Sequence, residues 1–159
     1  MAIYIEYEGI KGKGGAEGFE DHLVVSSVNF NVTRGITMET GNCANREATV
    51  PAISEVVFTK AADLSASELF KASTTGSEGK TVKVKFVQTG SKVTEYLTYE
   101  LTNCLVSGYG ISAGSDGDPI ETVNLSFTKM MVSYNDYDTA NKAGSPQRGG
   151  YDIEKGKPI

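Results

Sequence analysis

The chain has 159 residues, enough for one domain spanning 1–159 that buries its own core, and it carries a formal net charge of −5 with a pI near 4.9. Hydrophobic residues make up 39% and aromatics 9%, which excludes a disordered chain, and the net acidity argues against nucleic acid as a partner. No apolar run approaches the ~20 residues that cross a bilayer, and the amino terminus lacks a basic segment followed by an apolar one, so neither membrane insertion nor a cleaved signal peptide is expected.

Period-two alternation dominates the chain and predicts strands. Ile3, Ile5 and Tyr7 alternate with Tyr4 and Glu6, and Val28, Phe30 and Val32 alternate with Asn29, Asn31 and Thr33. The segment from Gly35 to Pro51 is long for a strand connection, and long loops in compact domains tend to be functional, so it is a candidate contact arm. Val56 and Phe58 then open another strand.

One helix is expected over about residues 65–75. Ser65-Ala-Ser-Glu68 reads as a capping box, Leu69, Phe70 and Ala72 supply a buried face, and Gly76 stands where a left-handed C-cap is favoured. Val82, Val84 and Phe86, then Leu97, Tyr99 and Leu101, define two further strands. Val123, Leu125 and Phe127 give way to Met130, Val132 and Tyr134, a one-residue change of phase that predicts a β-bulge near Lys129 and a curved sheet. The tail from Asp136 has no periodicity and is expected to order only against the rest. No internal repeat is evident.

Several groupings suggest chemistry that their surroundings do not support. Gly79-Lys80-Thr81 resembles the end of a phosphate-binding loop, but Thr74 stands where the first glycine belongs and the order is helix, loop, strand, so a turn is the better reading. Asp136 and Asp138 open like a calcium loop, yet Asn141 replaces the central glycine and Gln147 the bidentate glutamate. Asp116 and Asp118 read as turn residues. His22, the single histidine, follows Glu20 and Asp21 and has neither a metal cluster nor a nucleophile-elbow motif to serve, although Ser26 and Ser107 are conceivable partners. Cys43 and Cys104 form no CxxC pair and are expected as thiols, Cys104 buried in a strand. No catalytic residue, cofactor or metal site is expected, and no carboxylate pair stands out for hydrolysis.

Taken together, Ala2 to Gly12, Ser54-Glu-Val-Val-Phe-Thr-Lys60, Leu64 to Ser73, Lys80-Thr-Val-Lys-Val-Lys-Phe-Val87, Leu105-Val-Ser-Gly-Tyr109, Glu121 to Lys129 and Lys142-Ala-Gly-Ser-Pro146 resemble the hemolysin-coregulated protein (Hcp) family of type VI secretion systems across almost the whole chain. The resemblance implies a mainly β, barrel-like fold of curved antiparallel sheets with one short helix, similar to phage tail-tube proteins. It implies homohexameric rings stacked into a tube that a contractile sheath expels, a spike protein at the tip, small effectors in the lumen, and cytoplasmic assembly followed by export. The Gly35 to Pro51 loop, with Met38, Glu39, Asn42, Asn45, Arg46 and Glu47, is then the candidate contact between subunits or rings, and Asn29 falls where the family places a small lumen-facing residue. Family members with an added toxin domain extend beyond the shared core, and this chain stops at Ile159, so it is expected to act by assembly and not as an enzyme. The alternatives are a monomeric β-barrel that binds a small molecule and an enzyme with an unrecognised carboxylate pair.

Overall fold

The computed structural model describes residues 1–38, 40–41, 49–90, 92–137 and 143–159. In chain order its elements are β1 (Ala2–Tyr7), β2 (Leu23–Val25), β3 (Ser27–Asn29), β4 (Val32–Thr33), β5 (Ala52–Ile53), β6 (Val56–Ala61), helix α1 (Ala66–Thr75), β7 (Lys80–Gln88), β8 (Thr94–Ser112), β9 (Ile120–Ser126), β10 (Lys129–Tyr134), β11 (Gln147–Asp152) and β12 (Lys157–Pro158). All pairings are antiparallel. Sheet A runs β12-β11-β10-β8-β7-β1-β2 and sheet B runs β3-β6-β9-β8, so the 19-residue β8 belongs to both. The fold is the expected mainly β arrangement of curved sheets with one short helix.

Alternation sets which face of each strand is buried. Ile5 and Tyr7, Val56 and Phe58, Val82 and Val84, and Val123 and Leu125 all turn inward to one shared core with Leu101 and Cys104. Each large side chain so enclosed contributes roughly 1.5–3 kcal/mol relative to exposure. Burial of Cys104 pushes its thiol up to about 12, as the buried strand hydrophobe expected of it.

The strand β8 changes sheets at Asn103, whose φ of 55° is left-handed. Residues before it pair with β7 and β10, and residues from Leu105 onward pair with β9. A Cβ on Gly79 would lie 1.6 Å from Asn103 Oδ1 and 2.9 Å from its Cα. That close approach, and not phosphate binding, is why glycine precedes Lys80.

Several expectations are corrected. The phase change near Lys129 is not a bulge: β9 ends at Ser126, the chain leaves sheet B, and β10 starts in sheet A at Lys129. The true register shifts lie between Lys80 and Val82, between Phe86 and Val87, and between Val106 and Gly108. The stretch from Val28 to Thr33 is likewise two strands, because β3 pairs with β6 whereas β4 pairs with β5. The tail supplies β11 and β12, which extend sheet A beyond β10.

Helix α1 starts and stops differently from the expected capping. Ser65 is the N-cap residue but its side chain does not cap the helix; its amide and its hydroxyl both donate to the carboxylate of Asp63. Glu68 instead lies 3.7 Å from Lys71. Gly76 has φ −65° and is no left-handed cap. It is glycine because a Cβ there would sit 2.4 Å from the carbonyl oxygen of Ala72. Leu69 is buried, whereas Phe70 is exposed and meets Tyr109 edge-on.

Between α1 and sheet B lies a charge network that the alternation conceals. Lys60 and Glu121 are cross-strand partners of β6 and β9, and both are 0% exposed. Lys60 Nζ donates at 2.9 Å to Glu121 Oε1, to Asp63 Oδ1 and to the carbonyl of Ala61, using its three protons. Tyr109 donates to the other Glu121 oxygen at 2.5 Å, and burial together with that carboxylate pushes the phenol up to about 12. Among the described residues no buried side-chain nitrogen or oxygen lacks a partner.

Replacing Lys60 with Met strands two carboxylates and should cost about 3–5 kcal/mol in urea unfolding, while adding Glu121→Leu should recover part of that loss. A Lys60→Met variant as stable as the parent would show that the network contributes nothing. Burial raises the Asp63 carboxyl, but hydrogen bonds from Ser65 and Lys60 outweigh it and hold it below the usual range. Its stabilisation is therefore complete at neutral pH and is lost as the pH falls through that lowered value, so Asp63→Asn should flatten the acid limb of the stability curve.

Candidate assembly surfaces

The Gly35 to Pro51 arm stands on a two-stranded ribbon. The Asn31 amide donates to Ser54 Oγ at 2.8 Å and the Ser54 amide to the Asn31 carbonyl at 2.9 Å, with Val32 opposite Ile53 above them. Higher up, the Gly35 amide donates to Thr49 Oγ1 and the Thr49 amide to the Gly35 carbonyl, both at 2.8 Å. Among the site residues expected on the arm, Met38 is described and is 61% exposed. Glu39, Asn42, Asn45, Arg46 and Glu47 lie outside the described residues, as does Cys43. Val32, Ile36 and Val50 are also exposed, Val50 by 75%. The described part of the arm thus carries apolar side chains that the rest of the chain does not cover.

Two other apolar surfaces complement it in kind. Beside the ribbon, Phe30, Val32, Ile53, Tyr99, Met130 and Val132 line a cleft of about 590 Å³, with Arg34 among its lining residues. At the α1 end, Leu64, Phe70 and Ile111 are exposed. There the portion of β8 from Leu105 to Ser112 has β9 on one side and, among the described residues, no strand on the other. The opposite edge of sheet B is β3, paired only with β6.

The outward faces of the two sheets differ in chemistry. Register places Glu6, Lys83, Lys85, Glu100, Lys129 and Arg148 on the outward face of sheet A. Lys85 Nζ donates to Glu6 at 2.9 Å, and that bond first, with nearby charges, holds the Glu6 carboxyl below its usual value against the effect of burial. The outward face of sheet B carries Ser27, Asn29, Thr59, Thr122 and Asn124, with Ser27 and Thr59 hydroxyls 2.5 Å apart. Asn29 is exposed there, opposite Val57.

His22, half-buried ahead of β2, has both ring nitrogens engaged. Its Nδ1 is 2.9 Å from the Glu20 carbonyl and its Nε2 3.3 Å from Lys85 Nζ, beneath the edge of Phe19. The carbonyl can only accept, so Nδ1 donates to it, while Nε2 faces Lys85 and, at 3.8 Å, the Glu6 carboxylate. The ring ties the β1–β2 connection to sheet A and leaves no nitrogen for a nucleophile. Ser107 donates to Glu55 at 2.6 Å, a pair that holds no histidine. Asp136 bonds the Tyr137 amide as a turn residue does, while Asp138 and Asn141 lie outside the described residues. Among the described residues no group of three or more His, Cys, Asp or Glu is placed to hold a metal.

Sequence reasoning missed Lys60 and Glu121 as buried groups. The signal was present, since Lys60 continues the inward series Val56 and Phe58, and Glu121 precedes Val123 and Leu125 at the same spacing.

Residues 4–134 match the family described as "Type VI secretion system effector, Hcp". The chain is similar to a solved structure described as a type six secretion system protein, with 20% identity over 99% of each chain and a TM-score of 0.92. It is also similar to Hcp1 from Salmonella typhimurium, with 23% identity, 99% and 98% coverage and a TM-score of 0.76. A type VI secretion system effector from Yersinia pestis shares 19% identity over 95% of this chain and 99% of its own, with a TM-score of 0.76. A search of curated proteins matched none.

In a Cys43→Ser background, the thiol of Cys104 should resist maleimide in the folded protein and react fully in denaturant. Rapid labelling of the folded protein would mean that the core around Leu101 and Cys104 opens readily.

Proposed function

The chain belongs to the Hcp family of type VI secretion proteins, and from that membership we propose that it is a subunit of the secreted inner tube, acting by assembly. The observation that carries the proposal is the arm: a rooted ribbon that holds Ile36, Met38 and Val50 away from its own core. Covering such residues is favourable, and a second copy offers the cleft beside β10 or the exposed end at Leu64 and Phe70. Two different patches on one chain, and not one self-complementary patch, are what a head-to-tail ring requires.

Six copies per ring, rings stacked along an axis, a contractile sheath outside and a spike at the tip complete this reading, with small effectors carried in the lumen. Export through the secretion apparatus follows from the same role. Among the described residues no helix is long and apolar enough to cross a membrane. The free edges of sheet B, β3 and the second half of β8, are the places where neighbouring subunits can meet edge to edge.

Light scattering across the sizing peak should give six times the 16.9 kDa subunit mass. A monomer at high concentration would instead favour a small-molecule binder using the 590 Å³ cleft. Met38→Asp with Val50→Asp should abolish or sharply reduce the ring fraction while leaving the far-ultraviolet spectrum unchanged. Rings that persist in this variant would remove the arm from the interface. Because each subunit carries −5, raising salt from low to moderate should firm assembly by screening like charges.

A further inference from the structure

The cleft of about 590 Å³ beside the ribbon has a floor and a wall of different origin. Its floor is the inner face of sheet A, where register sets Tyr151 between Met130 and Pro158, and Val132 between Tyr99 and Gly149, because cross-strand partners share a face. Its wall is the ribbon, through Val32 and Ile53. Three inter-strand steps separate β8 from β12 in sheet A, so the floor is about 14 Å across.

Two adjacent glycines in β11 have different explanations. A Cβ on Gly150 would stand 2.7 Å from the Met130 carbonyl oxygen and 3.1 Å from Met131 Sδ, so a side chain there would force the strands apart. A Cβ on Gly149 would meet nothing within 4 Å, and its φ is not left-handed. Neither crowding nor backbone conformation calls for glycine at 149, although glycine inside a strand weakens it and marks places where a ligand or another backbone comes close. What it does is leave the floor open beside Val132.

Arg34 is the one charged residue among those that line the cleft, and among the described residues its guanidinium has no ion-pair partner. An apolar trough with a single unpaired cation at its edge complements a molecule that has an apolar body and one anionic end. We propose that the cleft binds a single acyl chain with an anionic head group, the chain lying over Met130, Val132 and Gly149 and the head at Arg34. The volume and the lining suit this: small-ligand sites occupy about 300–1,000 Å³, are mostly apolar with a few polar groups that fix orientation, and recur in the mouths of β-barrels. The site lies within one chain, so the proposal does not rest on the tube reading. In rings it leaves the exposed end at Leu64 and Phe70 as the seat for a neighbour's arm.

Titration of the purified protein with the fluorescent fatty acid cis-parinaric acid, below its micelle concentration, tests the site. The parent should take up one probe per subunit, and laurate or lauroyl lysophosphatidate should displace it. The tighter of the two identifies the head group as carboxylate or phosphate, and displacement by neither would overturn the proposal. Each methylene added to the competitor should tighten binding by up to about fourfold until the floor is filled.

Two variants separate the chain from the head. Gly149→Phe fills the floor where a side chain meets no obstacle, so it should unfold in urea no earlier than the parent and yet lose the probe. Arg34→Gln should weaken binding of the acid about tenfold and leave binding of its methyl ester unchanged. A parent that binds no probe, a Gly149→Phe variant that binds as well as the parent, or equal weakening of acid and ester by Arg34→Gln would each refute the site. The Met38→Asp, Val50→Asp variant should bind the probe as the parent does; uptake by that variant alone would show that a neighbour's arm fills the cleft, and would remove the ligand site from the assembled protein.

Discussion

The architecture depends on one strand serving two sheets. Hydrogen bonds leave β8 toward β7 and β10 as far as Cys104 and toward β9 from Leu105 onward. A strand that changes sheets bends or bulges at the corner, and here Asn103 supplies the bend in a left-handed conformation that asparagine tolerates better than most residues. Gly79 leaves the space in which the Asn103 side chain sits. Everything that positions a surface follows from this corner: the two curved sheets share a core, and their outward faces look in different directions.

The distribution of charge is a second consequence of strand geometry. Sheet A meets solvent with paired ions such as Lys85 and Glu6, which are cheap to maintain where water and salt can screen them. Sheet B encloses Lys60, Glu121 and Asp63 at a desolvation cost that only complete hydrogen bonding offsets. A hydrophobic set at the same positions would hold the sheet as well or better. The ionic set also ties β6, β9 and the entry to α1 at one point, because Asp63 bonds both Lys60 and Ser65.

Much of this was legible in the sequence. Alternation identified the long strands and their buried faces, and the single helix and the arm stood out by composition and length. What escaped was decided by partners far along the chain. β2, β5, β11 and β12 are two to six residues long and exist because a neighbouring strand completes their hydrogen bonds. The apparent bulge near Lys129 was a change of sheet, which looks the same in sequence because both shift the phase by one residue. Gly76 and Gly79 were recognisable as punctuation, but the reason for each lies in a close neighbour and not in its own φ. For the exposed apolar surfaces, the exposure of Met38 and Val50 could not be read from residue type, since the same types fill the core.

The ribbon beneath the arm leaves the body between β3 and β6, two paired strands of sheet B. The ribbon is pinned at its root by the Asn31–Ser54 hydrogen bonds, directly where β3 and β6 end and begin. A load on the ribbon therefore enters the body through β3 and β6 together, so the pairing that holds sheet B at this edge also fixes how the ribbon stands on it.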